Sequence, residues 1–277
     1  FALSLLAATF LSGCAANNTS LATRHDTAAA IAQPAGMVEK VIAATSFNLT
    51  SWQRLSLPHA PVDVYIEGDG LAWLDRHTPA LNPTPPDPLA LHLAAADGAQ
   101  NVIWLARPCQ YTGWRQEGAC PDIYWTSGRT APEVIADYNQ ALDRIKADFP
   151  ISGFHLIGYS GGAAVAALVA ANRTDVLSLR TVAGNTDYAA FTRLHNISAL
   201  DLSIDPVSVA TKLAHLPQRH FIGGADSIVP VEIVEAWKKA SGDSRCMALT
   251  VVPRNTHEKG WAEDWAALLQ QPLSCTE

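Results

Sequence analysis

One short stretch near the middle of the chain restricts the fold more than any other. Phe154-His155-Leu156-Ile157 is an apolar run of strand character, Gly158-Tyr159-Ser160-Gly161-Gly162 follows without a spacer, and Ala163 to Ala171 is a run of small helix-forming residues. A strand that passes straight into a helix must reverse within a few residues, and glycine at 158 and 162 removes the side chains that would collide there. The turn lifts Ser160 above the end of its strand. The small residues behind it let the helix lie close against a sheet.

The same alternation extends along the chain. Val62 to Ile66, Val102 to Ala106, Leu179 to Ala183, Arg219 to Ile222 and Met247 to Val252 read as strands, with weaker strand character at 38 to 49 and 53 to 57. Pro88 to Asp97, Ala131 to Phe149, 231 to 240 and 261 to 270 read as helices. Strands alternating with helices predict a mainly parallel central sheet flanked by helices on both faces, an α/β fold with its functional loops at the carboxyl ends of the strands. A hydrophobic content of 48% against 16% charged residues suits strands buried on both faces, and 277 residues fit one large domain. The formal net charge of -7 and the lack of any Lys/Arg cluster exclude nucleic acid as an expected partner.

Two later loops carry residues that give the serine a chemistry. Ile222-Gly223-Gly224-Ala225-Asp226-Ser227-Ile228-Val229-Pro230 is a strand end, a glycine pair, an acid and then Val-Pro opening a helix; Thr256-His257-Glu258-Lys259-Gly260-Trp261 lies between the last strand and the last helix. A serine hydroxyl is a weak nucleophile at neutral pH, so it needs an imidazole to take its proton and a carboxylate to fix the imidazole's tautomer. From about residue 60 onward the chain resembles the α/β-hydrolase superfamily, in which the order is Ser, Asp, His. The resemblance implies Ser160 as nucleophile, Asp226 as acid and His257 as base, with 226 − 160 = 66 and 257 − 226 = 31 residues between them. Asp187, after the strand at 179 to 183, is the alternative acid.

An acyl transfer also needs donors for the developing oxyanion. The resemblance implies the backbone N–H groups of Gly161 and Asp69, the second because Tyr65-Ile66-Glu67-Gly68-Asp69-Gly70 stands where many relatives have His-Gly-x-Gly. Glu67 replaces the histidine, so the loop must be braced differently, and the Asp69 carboxylate has to point away or be paired. Leu71-Ala72-Trp73 follows as an apolar wall. Trp114, Tyr124 and Trp125 are candidates for lining a pocket, and residues 185 to 214, with Tyr188, Phe191 and His195, form a short insertion suited to a small cap.

The first thirteen residues read as a signal peptide, being apolar and too short to span a bilayer. Leu11-Ser12-Gly13-Cys14 resembles the lipobox of bacterial lipoproteins. That resemblance implies lipid attachment at Cys14 and a place in the bacterial cell envelope, with residues 14 to 36 as anchor and flexible tether and residues 37 to 277 as the domain. Export favours disulfides, and position along the chain suggests Cys109 with Cys120 and Cys246 with Cys275, other pairings remaining open. No H-E-x-x-H, Walker or dinucleotide motif occurs, so neither metal nor cofactor is expected. The expected function is hydrolysis of a small-molecule or lipid carboxylic ester through an acyl-enzyme. The competing readings are acyl transfer or peptidase action on the same fold, and a lipid-anchored envelope protein without turnover.

Overall fold

The computed structural model describes residues 20–112 and 120–275. Eight strands form one sheet: β1 Val38–Ala43, β2 Asn48–Leu55, β3 Val62–Ile66, β4 Asn101–Leu105, β5 Phe154–Tyr159, β6 Val176–Val182, β7 Gln218–Gly223 and β8 Met247–Val252. Their order is β1-β2-β4-β3-β5-β6-β7-β8. The β1–β2 and β2–β4 pairs are antiparallel and the other five are parallel. The weak strand signal from 38 to 57 is therefore a hairpin, broken at 44–47, where the Ser46 and Phe47 amides both donate to the buried Asp137 carboxylate at 2.8 and 2.7 Å.

Successive side chains along a strand point to opposite faces, and the two cores divide accordingly. Val62, Val64 and Ile66 of β3 and Ile103 and Leu105 of β4 pack on one face. That face is covered by α3 Pro132–Asp148 and by α4 Gly161–Ala171, every residue of which is buried. Tyr65, Val102, Trp104, Val182 and Phe221 pack on the other, under α1 Leu21–Ala32, α2 Leu89–Ala96 and α7 Trp261–Leu269. In α3, Val134, Tyr138, Ala141 and Ile145 fall at the spacing that puts one helical stripe toward a core. Two further helices, α5 Tyr188–His195 and α6 Val231–Ala240, complete the set. Cys109 is bonded to Cys120 and Cys246 to Cys275.

The tether expected over 14 to 36 is corrected from residue 20 onward. Ser20 caps α1 by accepting from the Thr23 amide at 3.1 Å, and Arg24, Ala28 and Ala32 are buried along one side of the helix. Arg24 donates to the Thr84 carbonyl at 2.5 Å, and Gly36 closes the segment at a φ of 72°. A composition of alanine and small polar residues hid this element. Alanine is the best helix former, and at close packing its methyl is enough to make a core contact. The folded domain thus includes residues the sequence placed in the tether. Cys14 and the signal segment lie outside the described residues.

Candidate active site

The parallel strands deliver their loops to one end of the sheet. Ser160 lies between β5 and α4 at φ 51° and ψ −120°, a conformation that costs a non-glycine residue on the order of 1–3 kcal/mol. Its surroundings impose it. The Ser160 amide donates to Val182 at 3.0 Å, while its carbonyl accepts from the Ala163 and Asn185 amides, each at 3.1 Å. A Cβ on residue 158 would fall 2.5 Å from the Ala163 nitrogen, and one on residue 162 would fall 2.5 Å from the Glu67 carbonyl oxygen. Both glycines are therefore required where strand and helix meet.

The loop after β7 carries Asp226 and the loop after β8 carries His257. Ser160 Oγ is 2.9 Å from His257 Nε2, and His257 Nδ1 is 2.9 Å from Asp226 Oδ2. The other Asp226 oxygen accepts from the Ile228 and Val229 amides at 2.8 and 2.9 Å. One carboxylate thus organises its own loop and holds the imidazole, and its side chain is fully shielded from solvent. Trp261, which the sequence reading did not single out, steadies the histidine loop: its indole N–H donates to the Thr256 and His257 carbonyls at 2.9 and 3.1 Å. Asp187 serves elsewhere, accepting from the Ala190 amide at 2.7 Å as the N-cap of α5.

Ser160 and His257 open into a cleft of about 620 Å³ whose walls include Gly70 to Trp73, Pro85 to Asp87, Leu89 and Ile228. Leu71, Ala72 and Trp73 form the apolar wall expected of them. Tyr124 and Trp125 do not reach it. Tyr124 packs edge-on against Phe47 at 4.6 Å, and Trp125 is buried with its N–H on the Ala80 carbonyl at 3.1 Å. Both are packing residues; Trp114 lies outside the described residues.

Solved structures of the same architecture share this arrangement of strands. An esterase from Pyrococcus furiosus superimposes with a TM-score of 0.60 over 86% of this chain and 91% of its own, at 13% identity. An acylaminoacyl peptidase from Pyrococcus horikoshii does so with a TM-score of 0.56 over 80% of this chain and 37% of the peptidase, at 11% identity. An alpha-beta serine hydrolase homologue from Coxiella burnetii gives 0.53 over 83% and 93%, at 16% identity. This chain has the α/β-hydrolase fold. No family model and no curated protein sequence matches it.

Within the α/β-hydrolase fold, the loop after β3 is where this chain departs from the usual pattern, and its bracing is ionic. Asp69 is paired to Arg107 at 2.9 Å and to Arg129 at 2.7 Å, and Arg107 also donates to the Arg129 carbonyl. Burial alone would raise the Asp69 carboxyl, but the Arg129 and Arg107 charges outweigh it and hold the group below the ordinary aspartate value. Gln110 Nε2 donates to the Gly68 carbonyl at 3.1 Å. A Cβ on residue 68 would lie 3.4 Å from Ser160 Cβ, and one on residue 161 would run into the Asp69 carboxylate. The loop therefore rests on the Ser160 turn, bringing Asp69 beside Gly161. Neither arginine was visible as a functional residue in sequence; the only hint was an acid that needed a partner.

Glu67 fills the position of the missing histidine. It is buried, accepting from Trp104 Nε1 at 2.9 Å and from the Gly68 amide at 3.1 Å. Burial pushes its carboxyl up to about 7, against those hydrogen bonds, which favour the charged form. A carboxyl raised on folding binds more protons in the native than in the unfolded state, so its contribution to stability falls as pH rises from about 4.5 to about 7. The loss amounts to about 3 kcal/mol. Urea unfolding at pH 4.5, 6 and 8 is expected to show this decline in the parent and a flatter profile in Glu67→Gln. Parallel profiles would contradict the assignment.

Proposed function

We propose that this protein is a serine hydrolase that cleaves a carboxylic ester through an acyl-enzyme intermediate. The observation that carries the reading is the unbroken relay from Ser160 Oγ through His257 to Asp226, with both links at 2.9 Å, on a serine held at positive φ. Ser160 Oγ attacks the ester carbonyl carbon while His257 Nε2 takes its proton. The carbonyl oxygen becomes an oxyanion facing the Gly161 and Asp69 amides. Collapse breaks the bond to the alcohol oxygen, which receives the proton from His257. Water, deprotonated by His257, then attacks the acyl-enzyme and releases the acid with Ser160 restored.

The likeness to an acylaminoacyl peptidase favours amide cleavage as a second reading, since the same relay can protonate an amine. We further propose that Cys14 carries the lipid and holds the enzyme at the bacterial cell envelope, facing small-molecule or lipid esters there. Two disulfides in the described domain suit an oxidising compartment.

The test is the intact mass of the full-length chain after brief exposure to a fluorophosphonate, beside Ser160→Ala. The expected result is one adduct on the parent and none on the variant. An unlabelled, folded parent would overturn the reading. Turnover of matched ester and amide substrates by the labelled-competent parent then separates esterase from peptidase.

A further inference from the structure

A second cavity, of about 580 Å³, adjoins the catalytic cleft and shares with it the wall formed by Asp69, Ala72 and Trp73. Phe191, Ile197 and Leu200, from the insertion at 185–214, close its far side. Neither Ser160 nor His257 reaches into it. Its charged lining is Asp69 and Arg129, paired at 2.7 Å so that each offsets the other, together with Asp75 and Arg76. The insertion is also tied to the acid loop, since His195 Nε2 is 2.7 Å from the Ile228 carbonyl oxygen.

The stereochemistry of the reaction assigns this space. The tetrahedral carbon bonded to Ser160 Oγ has three other substituents, namely the oxyanion, the leaving oxygen and the acyl group. The leaving oxygen must lie at His257 Nε2, which protonates it, on the side of the cleft bounded by Ile228 and Glu258. The oxyanion faces the Gly161 and Asp69 amides. The acyl group then extends away from both, and the adjoining space behind Ala72 and Trp73 is lined by neither Ser160 nor His257. We infer that the second cavity receives the acyl part of the substrate, and that the enzyme selects esters of acids bearing an extended or aromatic apolar group over acetate esters. The inference rests on the serine-hydrolase reading and adds the acid component of its substrate.

The experiment is a series of p-nitrophenyl esters from acetyl to octanoyl, hydrolysed by the full-length protein. The expected kcat/KM rises from acetyl toward hexanoyl by about fourfold per methylene that the cavity buries. Leu200→Trp, which fills the cavity from its partly exposed far side, is expected to flatten that rise; Ile197→Trp serves the same purpose should the first variant misfold. Val251→Trp, on the exposed edge strand β8 at 51% exposure, is the control and should leave the series unchanged. A second series varies the alcohol of acetate esters. A flat acyl series in the parent, an acyl profile that Leu200→Trp does not alter, or an effect of that variant on the alcohol series alone would each overturn the assignment. Failure of the parent to hydrolyse any ester or take a fluorophosphonate adduct would instead remove the underlying reading.

Discussion

Asp226→Asn is expected to lower kcat by roughly 10⁴-fold while leaving the fold intact. The reasoning follows from the two separate duties of this carboxylate. One oxygen accepts the Ile228 and Val229 amides, and the amide oxygen of asparagine can do the same, so the loop keeps its shape. The other oxygen faces His257 Nδ1 at 2.9 Å, and there asparagine presents an NH₂. The imidazole must then accept at Nδ1 and carry its proton on Nε2, where it can no longer take the proton of Ser160. The check is steady-state kinetics together with the rate of phosphonate labelling, run beside a thermal melt. A loss under tenfold in a folded variant would mean that Asp226 does not set the tautomer.

Asp69→Ala should be destabilised by about 3–5 kcal/mol at neutral pH, a large effect for a residue that lines a cleft. The Arg107 and Arg129 side chains, only 4% and 9% exposed, would be left close together without their shared counter-charge. Because folding lowers the Asp69 pKa below its ordinary value near 3.8, the stabilisation is present above that value and is lost as pH falls through the lower, folded one. The gap between parent and variant should therefore narrow in acid below pH 4. Replacing both arginines by methionine together with Asp69→Ala should recover most of the stability, since removing a whole buried ion cluster costs far less than removing one member. Urea midpoints for the three proteins decide it, and equal stability of parent and Asp69→Ala would refute the argument. Phosphonate labelling of the stabilised combination should still be slow, because the amide beside Gly161 would have lost its brace.

The contrast between these two acids shows what could be read from the chain. Asp226 was legible because its surroundings are local: a continuous apolar strand, a glycine pair and the Val-Pro that starts a helix, all within nine residues. His257 and Ser160 were legible for the same reason, each marking the end of a strand with no other break in the pattern. Asp187, the alternative acid, was settled by the structure, which puts Asp226 on His257 and Asp187 on the Ala190 amide, because capping and catalysis draw on the same residue type. The partners of Asp69 are 38 and 60 residues away in sequence, and no periodicity announces a pairing made by the folded backbone. Helix α1 escaped notice for the opposite reason: its buried side consists mainly of alanine methyls, which look the same in a linker and in a core. The loop aromatics Tyr124 and Trp125 misled because a large ring buries as readily against a strand as against a ligand.

The way α1 is fastened has a geometric consequence for an enzyme held by Cys14. Arg24, one helical turn past Ser20, is fixed to the carbonyls of Asn82 and Thr84, and the next residues, Pro85 and Pro86, form part of the rim of the cleft. Six residue steps separate Cys14 from Ser20, at most roughly 20 Å of chain even when fully drawn out. A lipid on Cys14 would therefore act as a short leash attached to the helix that is fastened beside the rim of the cleft. The enzyme would have little room to turn its cleft away from the bilayer. Esters presented at the membrane surface would meet Ser160 at a high local concentration, whereas a substrate free in solution would gain nothing from the attachment.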